Sequence, residues 1–166
     1  MPQHQRLYEQ FSMSGYLYYI AGLKGMKKCE ADAEIPRLIE RVNLWDVRNE
    51  RIGTFSGGMK QRVLVAQAIL GNPGIIVMDE PTVGLDPKER VNFRNLISDI
   101  AKDRTIIIAT HIVSDLEKIA SDIIFLNHGH IVESGTIPEL IARYRAKLTE
   151  PNVEQIYMML GMESEK

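Results

Sequence analysis

The sequence lacks several features that would assign it to a common class of protein. Its 166 residues include one cysteine, Cys29, which excludes an internal disulfide and is typical of a reducing compartment. No apolar run approaches the roughly 20 residues that span a bilayer, and the first residues lack the apolar core of a secretory signal. The formal net charge is −2, and no lysine- or arginine-rich block indicates a nucleic-acid surface. We therefore expect no transmembrane segment in this sequence and no nucleic-acid partner.

What is present is the composition of a folded globular protein, with 45% hydrophobic and 25% charged residues. Residues 1–72 have mainly helical patterns, in the apolar and aromatic stretch Met13–Leu23 and in the spacing of Ile35, Leu38, Ile39 and Val42. Residues 73–145 alternate short apolar runs with amphipathic helices, which indicates a βαβ layout with a parallel sheet. Residues 146–166 form a weakly patterned tail. The sequence therefore predicts an α/β fold in three segments.

Two apolar runs predict the parallel strands. Ile75–Met78 and Thr105–Ala109 are continuous rather than alternating, a pattern typical of strands that are buried on both faces. A third run, Ile123–Leu126, is followed by Asn127-His128-Gly129 and by His130–Val132. The polar turn between these last two runs predicts a hairpin.

Helix starts are predicted by capping patterns. Asp86-Pro87-Lys88-Glu89 has an N-cap residue, a proline at the first helical position and a glutamate at the third. Ser114 with Glu117, and Thr136 with Glu139, repeat the spacing of the capping box.

The first candidate site is Ser56-Gly57-Gly58, which precedes a helix predicted from about Met59 to Leu70. Two glycines at a helix start expose backbone N–H groups where the helix dipole adds positive charge, and a phosphate can approach because no Cβ intervenes. Ser56 can cap the helix or donate to a phosphate oxygen. The alternative is an ordinary helix start without a ligand.

The second candidate site is the end of the first buried strand, where Asp79 and Glu80 precede Pro81. Ligands of open α/β sheets bind at the carboxyl ends of strands. Asp79 can hold a hydrated Mg²⁺, and Glu80 can polarise a water for attack on a γ-phosphate. His111 follows the second strand, and we expect it near these acids if the two strands are neighbours. The alternatives are a solvated strand end and a polar loop histidine, and for Asp86 a cap with no further role.

Together these motifs resemble the ATP-binding-cassette (ABC) ATPases. Phe-Ser-Gly-Gly-Met-Lys-Gln-Arg (55–62), a helix, four apolar residues with Asp-Glu-Pro (79–81), Gly-Leu-Asp (84–86) and Ala-Thr-His (109–111) have that family's order and spacing. The family's signature loop reads Leu-Ser-Gly-Gly-Gln, so Phe55 and Met59 replace its first and last residues here. The resemblance extends over residues 1 to about 145. It implies a partial P-loop NTPase core with parallel strands and a helical signature subdomain.

The resemblance also implies cofactors and roles for individual residues. The cofactors are ATP and Mg²⁺. Glu80 corresponds to the catalytic base, His111 to the switch histidine and Asp79 to the Walker B aspartate at the metal. Gln3, in Met1-Pro2-Gln3, is similar to the Q-loop glutamine, which senses the metal and the attacking water. The nucleotide contacts implied by the signature loop and the D-loop are Ser56, Gly57, Gly58 and Asp86.

Three stretches are similar to the bacterial exporter subclass with separate membrane subunits, namely 18–25, 109–117 and 129–136. The implied partners are a second ABC ATPase subunit, in a head-to-tail dimer, and membrane-spanning permease subunits. The implied location is peripheral, at the cytoplasmic face of the membrane. The transported substrate is not implied by any of these residues.

The family's phosphate-binding Walker A motif, G-x-x-x-x-G-K-[ST], does not occur in the 166 residues. If Gln3 is the Q-loop glutamine, the chain corresponds to an N-terminally truncated cassette. We then expect marginal stability and little or no ATPase activity of the chain alone, because Walker A provides most of the contacts to the β- and γ-phosphates. The alternative functions are a non-catalytic remnant that binds an intact partner cassette and a soluble ABC ATPase that acts without a permease.

Overall fold

The computed structural model describes residues 7–113, 117–148 and 150–162. Contacts between Cα atoms group the chain into two compact units, and the division falls between Thr110 and His111. The predicted segments with boundaries at residues 72 and 145 rest on sequence patterns, and they stay a prediction.

The first unit begins with three helices that pack against one another. They are α1 (Met13–Leu23), α2 (Lys28–Arg41) and α3 (Gly57–Ile69), with a short 3-10 helix at Ile52–Thr54 before α3. The predicted helix at Met13–Leu23 is confirmed, and its N-cap Ser12 accepts a hydrogen bond from the N–H of Gly15 at 3.1 Å. Apolar side chains of the three helices form the core, in particular Met13, Tyr16, Leu17, Ile35, Ile39, Val63, Val65 and Ile69.

A βαβ element completes the first unit. It consists of β1 (Ile75–Asp79), α4 (Pro87–Ile100) and β2 (Thr105–Ala109). The two strands are parallel, and their register pairs Ile75 with Thr105 and Asp79 with Ala109. The predicted parallel strands are therefore confirmed, and the carboxyl ends of β1 and β2 lie side by side.

The prediction that both strands are buried on both faces is wrong. On β1, Ile76 and Met78 are buried, but Ile75 and Val77 are 64% and 54% exposed, and Ile107 on β2 is 52% exposed. Successive side chains of a strand point to opposite faces. One face of this two-stranded sheet therefore packs into the unit while the other is open to solvent, although both faces carry apolar residues.

The described residues of the second unit form an antiparallel hairpin and two helices. The elements are β3 (Asp122–Asn127), β4 (His130–Thr136), α5 (Ile137–Tyr144) and α6 (Val153–Met162). The predicted hairpin is confirmed, with a register shift between Phe125 and Leu126. His128 and Gly129 both have positive φ, 48° and 79°, as a type I′ turn requires.

Helix α5 of the second unit starts at the predicted capping box. The Thr136 hydroxyl accepts from the N–H of Glu139, and the Glu139 carboxylate accepts from the N–H of Thr136. Ser114, of the other predicted box, lies outside the described residues. The core of this unit is formed by Val113, Ile123, Phe125, Leu140, Tyr144, Val153 and Ile156.

Candidate functional site

The end of β1 presents two adjacent carboxylates in different environments. Asp79, the last residue of the strand, is exposed, whereas Glu80 is partly buried. The N–H of Glu80 donates to the carbonyl of Ala109 at 2.8 Å, and the Thr110 hydroxyl donates to the Glu80 carboxylate, also at 2.8 Å. Glu80 has a φ of 46°, a left-handed conformation that costs a non-glycine residue about 1–2 kcal/mol. Contacts to the end of β2 therefore orient Glu80, while Asp79 stays accessible.

Thr110 was not among the predicted site residues. It follows Ala109 directly at the end of β2, and the parallel register carries its hydroxyl to the end of β1. Thr110 could have been identified from the parallel pairing of the two strands, because this pairing places the first polar residues after β1 and after β2 next to each other. An isolated threonine after an apolar run carries no such information.

The turn after Glu80 leads into α4 and ends at Asp86. The carbonyl of Glu80 accepts from the N–H of Val83 at 3.4 Å, and Gly84 has a φ of 78°. The carboxylate of Asp86 accepts from the N–H of Glu89 at 2.8 Å. The predicted cap is therefore confirmed, and the implied contact of Asp86 with nucleotide stays a prediction.

The start of α3 contains Ser56, Gly57 and Gly58. Ser56 is the N-cap, and its hydroxyl accepts from the N–H of Met59 at 3.2 Å, so the predicted capping role is confirmed. A hydroxyl that accepts one hydrogen bond can still donate another. Phe55, where the family has leucine, is buried, so this position contributes to the core of the unit and not to an exposed surface.

The two glycines of this loop have different surroundings. A Cβ built on Gly57 meets nothing within 4 Å, whereas one built on Gly58 would lie 2.6 Å from Cδ and 2.8 Å from Cγ of Glu89. A phosphate can therefore approach the α3 N-terminus on the Gly57 side, where unpaired N–H groups and the helix dipole favour an anion. On the Gly58 side the space is filled by Glu89, which was predicted only to belong to the start of a helix and not to a site.

For two further predicted residues, His111 and Gln3, the expected role stays a prediction. His111 is exposed and is the first residue of the second unit, so its expected proximity to Asp79 and Glu80 stays a prediction. Gln3 lies outside the described residues. Within the described ranges, no group of three or more histidine, cysteine, aspartate or glutamate side chains could by itself hold a metal ion. Mg²⁺ is commonly bound by one or two carboxylates together with substrate phosphates and water, and an exposed Asp79 is compatible with that kind of site.

Solved structures identify the class of fold. A structure described as "Structure of ATP binding subunit of ABC transporter" matches with a TM-score of 0.78 and 25% sequence identity, and the match covers 96% of this chain and 66% of that chain. The fold is therefore that of part of an ABC ATPase, as the motifs predicted.

The family model described as "ABC transporter" matches residues 1–83, and the chain belongs to this family. A phosphate import ATP-binding protein of Pyrobaculum aerophilum is 35% identical over 130 residues, which cover 76% of this chain and 52% of that protein. Nod factor export ATP-binding protein I of a Rhizobium species is 33% identical over 145 residues, which cover 87% and 48%. The chain thus spans about half the length of these two relatives, and 16–17% of two ABC transporter A family members of Dictyostelium discoideum.

ABC ATPases as a family bind ATP, typically with Mg²⁺, and hydrolyse it, and cassettes of this family generally dimerise and associate with transmembrane subunits. In the described part of this chain, no helix combines the length and apolar character needed to cross a membrane.

Proposed function

We propose that the chain is the ATP-binding part of an ABC transporter and couples ATP binding and hydrolysis to transport. The observation that carries this proposal is the end of β1, where an accessible Asp79 adjoins a Glu80 that is oriented by Thr110 and Ala109. An acid that holds a metal and an acid that orients water need these two environments, one open and one fixed.

Each candidate residue receives a role in this proposal. Bound ATP and Mg²⁺ supply the phosphoryl group and the charge that neutralises its oxygens. With both bound, Asp79 and Gln3 would contact the metal ion and Glu80 would accept a proton from the attacking water. The family resemblance gives His111 the role of orienting the reacting phosphate. Asp86 belongs to the nucleotide contacts at the dimer interface. In a head-to-tail dimer, ATP on a second ABC ATPase subunit would contact the start of α3. The groups that would contact it are the Ser56 hydroxyl, the open side of Gly57 and the N–H of Gly58.

Export is the direction that we propose, with permease subunits in the membrane and this chain at its cytoplasmic face. The support is the similarity of residues 18–25, 109–117 and 129–136 to the exporter subclass. Relatives named for import and for export both match, so the direction depends on these stretches. Co-purification with a permease supports a transporter, and recovery of the chain only without a membrane protein favours the soluble alternative.

The catalytic competence of this chain is tested separately from its role in a dimer. We propose that the chain alone hydrolyses little or no ATP, because its sequence contains no Walker A motif. In a mixed dimer with an intact ABC ATPase subunit, the partner's nucleotide site receives Ser56-Gly57-Gly58 from this chain. The Asp79 and Glu80 carboxylates belong to the other site of that dimer.

The mixed-dimer ATPase assay therefore gives an asymmetric expectation. Ser56→Arg should abolish the stimulation of the partner's hydrolysis, and Glu80→Gln should leave it unchanged. Equal stimulation with and without Ser56→Arg rejects the signature-loop role. Hydrolysis by the chain alone that Glu80→Gln removes would instead show a complete active site. Nucleotide binding by this chain alone separates the remnant alternative, which rests on the missing Walker A motif, from a catalytic subunit, because a remnant would stimulate the partner without binding ATP itself.

A further inference from the structure

Glu89 on α4 is in contact with the start of α3. Its side chain fills the space where Gly58 would carry a Cβ, with Cδ and Cγ 2.6 and 2.8 Å from that position. Gly58 itself is buried, in contrast to the exposed Gly57. A side chain at residue 58 would therefore have to displace the Glu89 side chain, whereas one at residue 57 would not.

Arg62 holds the Glu89 carboxylate in this place. A guanidinium nitrogen of Arg62 lies 3.7 Å from a carboxylate oxygen of Glu89, and the two side chains are only 16% and 24% exposed. The Nε of Arg62 donates to the carbonyl of Gly58 at 3.3 Å. Because this ion pair is largely shielded from solvent, it is screened less than a surface pair. The contacts among these three residues thus fix the start of α3 against the side chain of Glu89.

The backbone of Glu89 belongs to the start of α4. Its N–H donates to the Asp86 carboxylate at 2.8 Å, which is the N-cap interaction of that helix. One residue therefore contacts the cap of α4 through its main chain and the start of α3 through its side chain. All of these contacts lie within the first unit.

We propose that Glu89 is a positioning residue that links the Asp86 turn to the loop Ser56-Gly57-Gly58, so that the two segments change position together. The consequence for nucleotide contact rests on the proposed function, since it assumes that both segments meet ATP. The mechanical link between the two segments does not depend on the proposed function, and it can be measured without nucleotide.

Hydrogen exchange in the 166-residue chain measures the link. The reporters are the N–H groups of Met59 and Lys60, which bond to the Ser56 side chain and carbonyl, and the N–H of Ala66 in the same helix serves as an internal reference. Glu89→Gln keeps the side-chain volume and removes the charge. We expect exchange at Met59 and Lys60 to accelerate roughly three- to tenfold relative to Ala66. Glu40→Gln, the same change at an exposed position of α2, should leave it unchanged.

The decisive comparison combines the two ends of the link. Asp86→Ala removes the cap of α4 and should accelerate exchange at Met59 and Lys60 in the wild-type background. In the Glu89→Gln background the same substitution should add nothing there. An undiminished effect in both backgrounds overturns the proposal, and so does unchanged exchange in Glu89→Gln. A purely local packing role would not make the effect of Asp86→Ala depend on residue 89.

A second pair of variants covers the case in which Asp86→Ala fails to fold. Gly58→Ala displaces the Glu89 side chain and should accelerate exchange at Met59, but in a Glu89→Ala background the same change should have no accelerating effect. Acceleration of equal size in both backgrounds contradicts the proposal. If the exchange results hold and the mixed-dimer assay fails, the link is real and the proposed function is wrong. The opposite pattern rejects the link alone.

Discussion

Removal of the Thr110 hydroxyl should lower the free energy of unfolding of the first unit, because this hydroxyl donates a hydrogen bond to Glu80. Thr110→Val is nearly isosteric and deletes the hydrogen bond of 2.8 Å to the Glu80 carboxylate. A hydrogen bond to a charged group contributes about 1.5–3 kcal/mol. Glu80 is only partly buried, so water replaces some of the loss. We expect the free energy of unfolding to fall by about 1–2 kcal/mol.

The assay uses the single tryptophan, Trp45, which lies in the first unit. Its fluorescence reports urea unfolding of that unit, and the shift of the midpoint at constant slope gives the change in stability. Thr110→Ser retains the hydroxyl and is the matched control. Glu80→Gln retains an oxygen that can accept from Thr110 but loses the charge, so its stability should fall by about 0.5–1 kcal/mol, less than for Thr110→Val.

The reasoning is refuted if Thr110→Val and Thr110→Ser have the same urea midpoint. That result would mean that the hydroxyl does not hold the carboxylate in solution, and the left-handed conformation of Glu80 would then need another source of support. A fall in stability for Glu80→Gln as large as for Thr110→Val would show that the negative charge matters more than the hydrogen bond.

Three further predictions concern stability and pH. Leu140 is fully buried in the second unit, so Leu140→Ala should lower the free energy of unfolding by about 2–5 kcal/mol. Urea unfolding followed by circular dichroism measures this change, and a decrease of less than about 1 kcal/mol would contradict the burial of Leu140. Burial, with smaller contributions from Tyr8 and Tyr19, raises the pKa of Tyr16 from 10.0 to about 12. The folded state therefore favours the neutral phenol, and this contribution of about 3 kcal/mol is complete below pH 10 and is lost as the pH rises towards 12. The free energy of unfolding of Tyr16→Phe, measured between pH 9 and 12, should not show this decline. The same decline in the variant and the wild type would exclude Tyr16 as its source. Hydrogen bonds from Lys102 and Arg41 lower the pKa of Asp99 below 3.8, so its contribution is present above that pH and is lost as the pH falls through the lowered value. Asp99→Asn should flatten this acid decline, and an identical acid profile would show that Asp99 does not contribute to it.

The parts of this protein that follow local rules could be predicted from the sequence. The caps at Ser56, Asp86 and Thr136 and the hairpin turn at Asn127-His128-Gly129 depend on residues only a few positions apart, and the structure confirms all of them. The parallel direction of β1 and β2 in one sheet was also predicted, because short apolar runs that alternate with amphipathic helices indicate a βαβ layout, whereas their direct pairing was left open.

The parts that depend on distant residues could not be predicted. The position of Glu89 against Gly58 joins two helices, and no spacing rule relates these residues. The same holds for Thr110 and Glu80, which meet only because the strands pair in register. The prediction that β1 is buried on both faces was wrong, as the exposure of Ile75 and Val77 shows. An apolar run predicts a strand, but it does not show whether other elements cover both of its faces. A motif thus predicts the role of a site residue, but the tertiary contacts are needed to explain why that residue type occurs there.

The two strand pairs also differ in how early they can form during folding. The hairpin joins Asn127 to His130, and pairs so close along the chain close within microseconds. Pairing of Ile75 with Thr105 must wait until the whole turn and α4 between them have been ordered, because a parallel pair needs a crossover and the entropy of the intervening segment must first be lost. On a nascent chain, the apolar residues of β1 therefore remain without their partner strand until Ala109 has left the ribosome, and a chaperone that binds short apolar segments would find β1 before it finds β3.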